Sequence, residues 1–181
     1  MGWNIAIGVI VLLGVGGIIV SRSGSSGASA PAVGDHWHAR LEVFDCQSGG
    51  FLGFVPEFHN RADNDSVQAG IHSHADGFIH IHPFTSDEAG DNATIGKYLD
   101  FGGFDLDENG WSLWEGGPRQ NGDQCGDGQP GEVRWTVDGE EQSGNPADYH
   151  PEDGEVIVLA FVPAGQEIPA APANESAPTD L

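Results

Sequence analysis

GIHSHADGFIHIHPF, residues 70–84, decides how the rest of the chain is read. Its two His-x-His pairs, His72/His74 and His80/His82, stand on either side of Asp76-Gly77. Side chains alternate along an extended strand, so both histidines of a pair leave the backbone on the same side. An Asp-Gly step between two such runs predicts a β-hairpin.

The register of that hairpin sets the chemistry. With a two-residue turn at Asp76-Gly77, His74 falls opposite Ile79 and His72 opposite Ile81, which sends the two pairs to opposite faces. With a three-residue loop, Ala75-Asp76-Gly77, Gly77 closes a type I turn and G1 bulge in the left-handed conformation. His74 then faces Phe78, His72 faces His80, and all four rings share one side. A slip of one residue separates a cluster from none. The three-residue register also gathers Ile71, Ile79 and Ile81 into one apolar stripe, whereas the alternative buries imidazoles beside isoleucine, so the convergent arrangement is expected. Under it His72, His74 and His80 form the nucleus and His82 lies further out.

A third pair, His36/His38, belongs to HWHARLEVF, residues 36–44. Trp37, Ala39, Leu41 and Val43 fall on one side of this predicted strand, and His36, His38, Arg40 and Glu42 on the other. These two histidines join the others if their strand neighbours the hairpin. Neutral imidazole is the commonest transition-metal ligand, and three chelating pairs among eight histidines point to a bound transition metal. Zinc or copper suits such donors best, followed by iron or nickel. His59 and His150 stand alone and are expected at the surface, and Asp76 is expected to serve the turn.

Outward from the hairpin, VRWTV (133–137) and EVIVLAFV (155–162) read as strands, the second apolar enough for a sheet centre. NATIGKYLDF (92–101) reads as the one helix, with Asn92 as N-cap and Gly102-Gly103 as terminator. Asp105 to Gly131 is rich in Gly, Asp and Asn and is expected as loops with at most one short strand, anchored by Trp111, Leu113 and Trp114. This order predicts an α+β domain, mainly antiparallel β, built as a β-grasp or a small sandwich with one short helix. The stretch from Asp138-Gly139 through Tyr149 and Asp153-Gly154 to VIVLAFV resembles the closing strands of β-grasp domains.

The domain spans 35–163. Before it, Gly2–Val20 is an uncharged apolar run that covers about 28 Å as a helix, close to a bilayer's hydrocarbon thickness. We read 1–20 as a transmembrane anchor and 21–34 as a flexible Ser/Gly/Ala/Pro linker; Ala28-Ser29-Ala30 leaves a cleaved signal peptide as the competing reading. Residues 164–181, rich in Pro, Ala and Glu, are expected as a disordered tail. Arg22, the only basic residue flanking the apolar run, leaves topology open. Cys46 and Cys125 are the only cysteines, and one long-range disulfide in an oxidising, extracytoplasmic compartment fits them; two reduced thiols in a cytoplasmic domain are the alternative. The net charge of −22 argues against nucleic acid and anionic lipid surfaces as partners. Protein partners are not legible.

GIHSHADGFIHIHPFTSDEAGDNATIGKYL, with DHWHA upstream and NGDQC downstream, resembles an uncharacterised family of membrane-anchored actinobacterial proteins with an H-x-H-x-D-G-x-I-H-I-H-P core. The resemblance covers most of the domain. It implies an anchored, extracytoplasmic protein and gives no reaction. Cupins also carry His-x-His on a strand, but the Glu that their first motif places four or five residues on is missing here. H-E-x-x-H, G-x-S-x-G, a P-loop and a dinucleotide fingerprint are absent as well. Three readings stay open: a metal-binding protein, a zinc-type hydrolase or oxidase with Asp76, Glu57 or Glu88 as base, and a pH-responsive interaction domain.

Overall fold

A computed structural model describes residues 30–173 and Pro178. HWHARLEVFD supplies strand β1 (Trp37–Asp45), with Ala39, Leu41 and Val43 buried on one side as the alternation requires. β2 (Gly50–Phe51), β3 (Phe58–Arg61), β4 (Asn64–Ser73) and β5 (Phe78–Ile81) follow. Helix α1 (Ile95–Phe101) leads to the short strands β6 (Asp105–Asp107), β7 (Gly110–Ser112) and β8 (Arg119–Gln120). β9 (Gly131–Val137), β10 (Glu140–Glu141) and β11 (Val156–Pro163) close the fold.

Eight strands form one sheet in the order β10-β9-β11-β1-β5-β4-β3, with β2 paired to β1. Every pairing is antiparallel except β1 with β11. The fold is therefore mainly antiparallel β with a single α-helix among the described residues. Ile71, Ile79 and Ile81 form the expected apolar stripe, at most 1% exposed, and pack in one core with Leu41, Leu159, Phe161 and the helix residues Ile95, Tyr98 and Leu99.

Three expectations are corrected. The helix starts later than predicted: Thr94, not Asn92, caps it by accepting from the Lys97 N–H, because Asn92 ends a separate 3₁₀ turn over Gly90–Asn92. The Gly- and Asp-rich stretch holds a three-stranded sheet, β6-β7-β8, rather than one strand. Trp111 of β7 stacks edge-on against Phe161 at 5.8 Å, which ties that sheet to the core. Third, residues 164–173 run over the sheet face opposite the core. The Gln166 carbonyl accepts from Arg134 Nη1 at 2.5 Å, the Pro172 carbonyl from Arg40 Nη2 at 2.5 Å, and Ile168–Ala171 lie beside Thr136, Val156 and Val158.

Cys46 and Cys125 form the expected disulfide, joining the end of β1 to the loop before β9. Next to it the buried Asp45 carboxylate receives Nε and Nη2 of Arg119, at 3.1 and 2.8 Å. No helix among the described residues is long and apolar enough to cross a membrane, and the anchor assigned to residues 1–20 lies outside the described residues.

Candidate metal centre

β5 lies between β1 and β4, and the registers put His38 opposite His80 and His80 opposite His72. One row of three histidines thus crosses three strands on the face away from the core. This is the convergent register. Gly77 has the positive φ, +91°, that the three-residue loop requires, but Ala75 is also left-handed at φ 58°, so the loop is not the predicted type I turn. Asp76 explains the difference. Its carboxylate accepts from the Phe78 N–H at 3.1 Å, closing the turn through a side chain, and receives the His80 Nε2–H on both oxygens at 3.1 and 3.0 Å. Asp76 therefore holds a ring of the cluster as well as the turn.

The remaining histidines extend the row in both directions. His36 lies two residues before His38, and their Nε2 atoms stand 3.0 Å apart. His82 follows β5, donates its backbone N–H to the Gly70 carbonyl at 2.6 Å, and brings its ring within 3.8 Å of that of His36. On the other flank His72 Nε2 faces His74 Nε2 at 3.2 Å. Both Nε2 contacts are hydrogen bonds between the rings, and both come close to the spacing of about 3.3 Å that two nitrogens take on one tetrahedral ion at 2.0–2.1 Å.

His59 is the member that sequence reasoning missed. Phe58 opposes Ser73 across the β3–β4 pair and packs on Tyr98 at 5.4 Å, which turns His59 to the side of His72 and His74. Its ring centroid lies 4.8 Å from that of His74 and 5.5 Å from that of His72, and Glu57 Oε1 accepts from its Nε2 at 2.8 Å. The available signal was Asp63-Asn64 after FHNR, a turn cue that marks β3 and β4 as a hairpin. His150 stays apart as expected, bonded through Nε2 to the Asp91 carbonyl at 2.7 Å.

Three sets of histidines bring ligand nitrogens within 4.8 Å of one another: His36/His38/His82, His72/His80/His82 and His59/His72/His74. Seven of the eight histidines take part. Exposure grades along the row, from His80, fully buried, through His72 and His38 at 7% and 9%, to exposed His36 and His59 at the two ends. Burial, followed by the neighbouring His82, His80, His74 and His59, pushes the pKa of His72 down to about 3. That ring is neutral at neutral pH, as a ligand must be. Its Nδ1–H donates to the Ala69 carbonyl at 3.1 Å, which leaves Nε2 as the nitrogen that could coordinate a metal.

Of the carboxylates considered as bases, Glu88 is committed elsewhere. It is buried and takes Arg61 Nη2 at 2.7 Å and the Gly70 and Phe84 N–H groups at 3.1 Å each. Asp76 and Glu57 do touch the cluster, each through a histidine ring.

Comparison with known proteins finds no matching family model, no matching curated protein and no matching solved structure.

Proposed function

We propose that this chain is a membrane-tethered, extracytoplasmic protein that binds a transition-metal ion through His72, His74, His80 and His82, joined by His36 and His38. The observation that carries the reading is the continuous histidine row across β1, β5 and β4, with triads already within chelating distance. The donor set supports a borderline divalent ion, zinc or copper before iron or nickel. Every donor is an imidazole, and both cysteines are consumed in the disulfide. Orienting partners of the kind metal sites use are in place: the Ala69 carbonyl behind His72, Asp76 behind His80 and Glu57 behind His59.

The disulfide supports an oxidising compartment, and the apolar run Gly2–Val20 together with the resemblance to anchored proteins supports the tether. We also read the order β5-β1-β11-β9-β10, with α1 between β5 and β9, as a β-grasp to which β2–β4 and the β6–β8 sheet are added.

Elemental analysis of the purified full chain tests the reading. It is expected to carry metal that is lost when His72, His74, His80 and His82 are all changed to Ala. Equal metal content in the two proteins would overturn it.

A further inference from the structure

The three triads are not independent, and their overlap fixes how many ions fit. The middle set shares His82 with one flank and His72 with the other, whereas the flanks His36/His38/His82 and His59/His72/His74 share no residue. A neutral imidazole has a single unprotonated nitrogen and so serves one ion at a time. An ion in the middle set thus takes a ligand from each flank, whereas two ions fit together only in the flanks.

The two flanks also have separate structural origins. His36 and His38 come from β1 and its approach, and His82 from the residue after β5. His59, His72 and His74 come from β3, β4 and the residue after β4. Each flank contains a His-x-His pair with Nε2 atoms close to tetrahedral-chelate spacing, 3.0 Å in one and 3.2 Å in the other. Each also has fixed backbone behind it. The His38 N–H donates to Asp153 Oδ1 at 2.9 Å and its carbonyl accepts from Gly154 at 2.7 Å, while the His72 ring is tied to Ala69. Each flank ends in an exposed ring, His36 or His59, so each opens to solvent at its own end of the row.

We infer that the chain binds two divalent transition-metal ions at once, one by His36, His38 and His82 and the other by His59, His72 and His74. His80, gripped by Asp76, sits between them. With one ion bound, the shared middle set is a second position for it, and a second ion displaces it from there by claiming His72 or His82. The row is then a track of overlapping positions rather than one closed cage. This rests on the metal-binding reading above and adds stoichiometry, His59 as a ligand, and the division of the cluster.

Titration of the metal-free full chain with Co²⁺, followed by its visible d–d absorption and repeated with Zn²⁺ by calorimetry, tests the division. The expected end point is two ions per chain. His36→Ala/His38→Ala and His59→Ala/His74→Ala are each expected to stop at one ion, and His80→Ala to keep two. These positions are exposed or half-buried apart from His38 and His80, and His36→Ala/His59→Ala, at exposed positions only, serves as a second variant. It is expected to weaken both binding steps at least tenfold while the metal-free far-ultraviolet spectrum stays that of the wild type. A wild-type end point of one ion, or loss of both ions in either double variant, overturns the two-site division and leaves metal binding standing. No binding by the wild type overturns both.

Discussion

Asp76 carries two duties at one carboxylate, closing the β4–β5 turn and holding His80. Asn in its place keeps the acceptor for the Phe78 N–H but replaces the charge that orients the ring. Asp76→Asn is expected to weaken the binding of a single ion in the middle set, which uses His80, by about 10- to 100-fold, measured by chelator competition at one ion per chain, with the two-ion end point and the unfolding midpoint little changed. An unchanged affinity would mean that Asp76 serves the turn alone. His72 links the cluster to acid stability. Its folded pKa of about 3 lies below the unfolded value of 6.5, so between those values the unfolded chain binds a proton that the folded one refuses. The stability it contributes is complete above pH 6.5 and is lost as pH falls toward 3, at up to about 1.4 kcal/mol per pH unit. Urea midpoints of the metal-free protein across this range should decline less steeply in His72→Gln than in the wild type.

At the scale of elements, the hairpin shows what was legible and what was not. Alternation of Ile and His over residues 70–84 encodes both faces, and one register satisfies both, so the pairing of His72 with His80 could be derived. The loop conformation could not, because the carboxylate of Asp76 replaces the backbone contacts that define a standard turn. Gly77 was legible for its φ, but not for the second constraint on it. A Cβ at Gly77 would come within 2.9 Å of the Phe54 ring, a contact made by a segment far away in sequence. Gly77→Ala is expected to destabilise the fold by about 2 kcal/mol, measured by denaturant unfolding. β3 escaped notice because four residues with two bulges give no period, and His59 was lost with it. The helix cap was misplaced by two residues for a local reason. Asn92 and Thr94 are both capping residues, and only the 3₁₀ turn at Gly90–Asn92 decides between them.

Over the whole molecule, long-range constraints hold the histidine face in place. The disulfide spans a sequence separation of 79 residues and pins the far end of β1, whose start carries His38 with His36 just before it. On the chain-entropy model a loop of that length is worth about 4.5 kcal/mol, so reduction or Cys46→Ala/Cys125→Ala should lower the unfolding free energy by a few kcal/mol. Metal content of the folded variant should stay the same, since neither sulfur lies in a histidine triad. Residues 164–173 read as a tail because Pro, Ala and Glu carry no period. They are placed instead by carbonyls that Arg40 and Arg134 hold against the sheet. The overall charge of −22 argues against polyanions as partners and says nothing of a metal, whose proposed ligands are neutral rings.

The central claim is that a metal ion sits on imidazoles of one sheet face. X-ray absorption at the zinc or copper edge of the metal-loaded full chain tests it most directly. The predicted spectrum has a nitrogen shell near 2.0–2.1 Å, outer-shell features of three or more imidazole rings per ion, and no sulfur. A shell of oxygens without imidazole scattering, or any metal–sulfur distance near 2.3 Å, would contradict it.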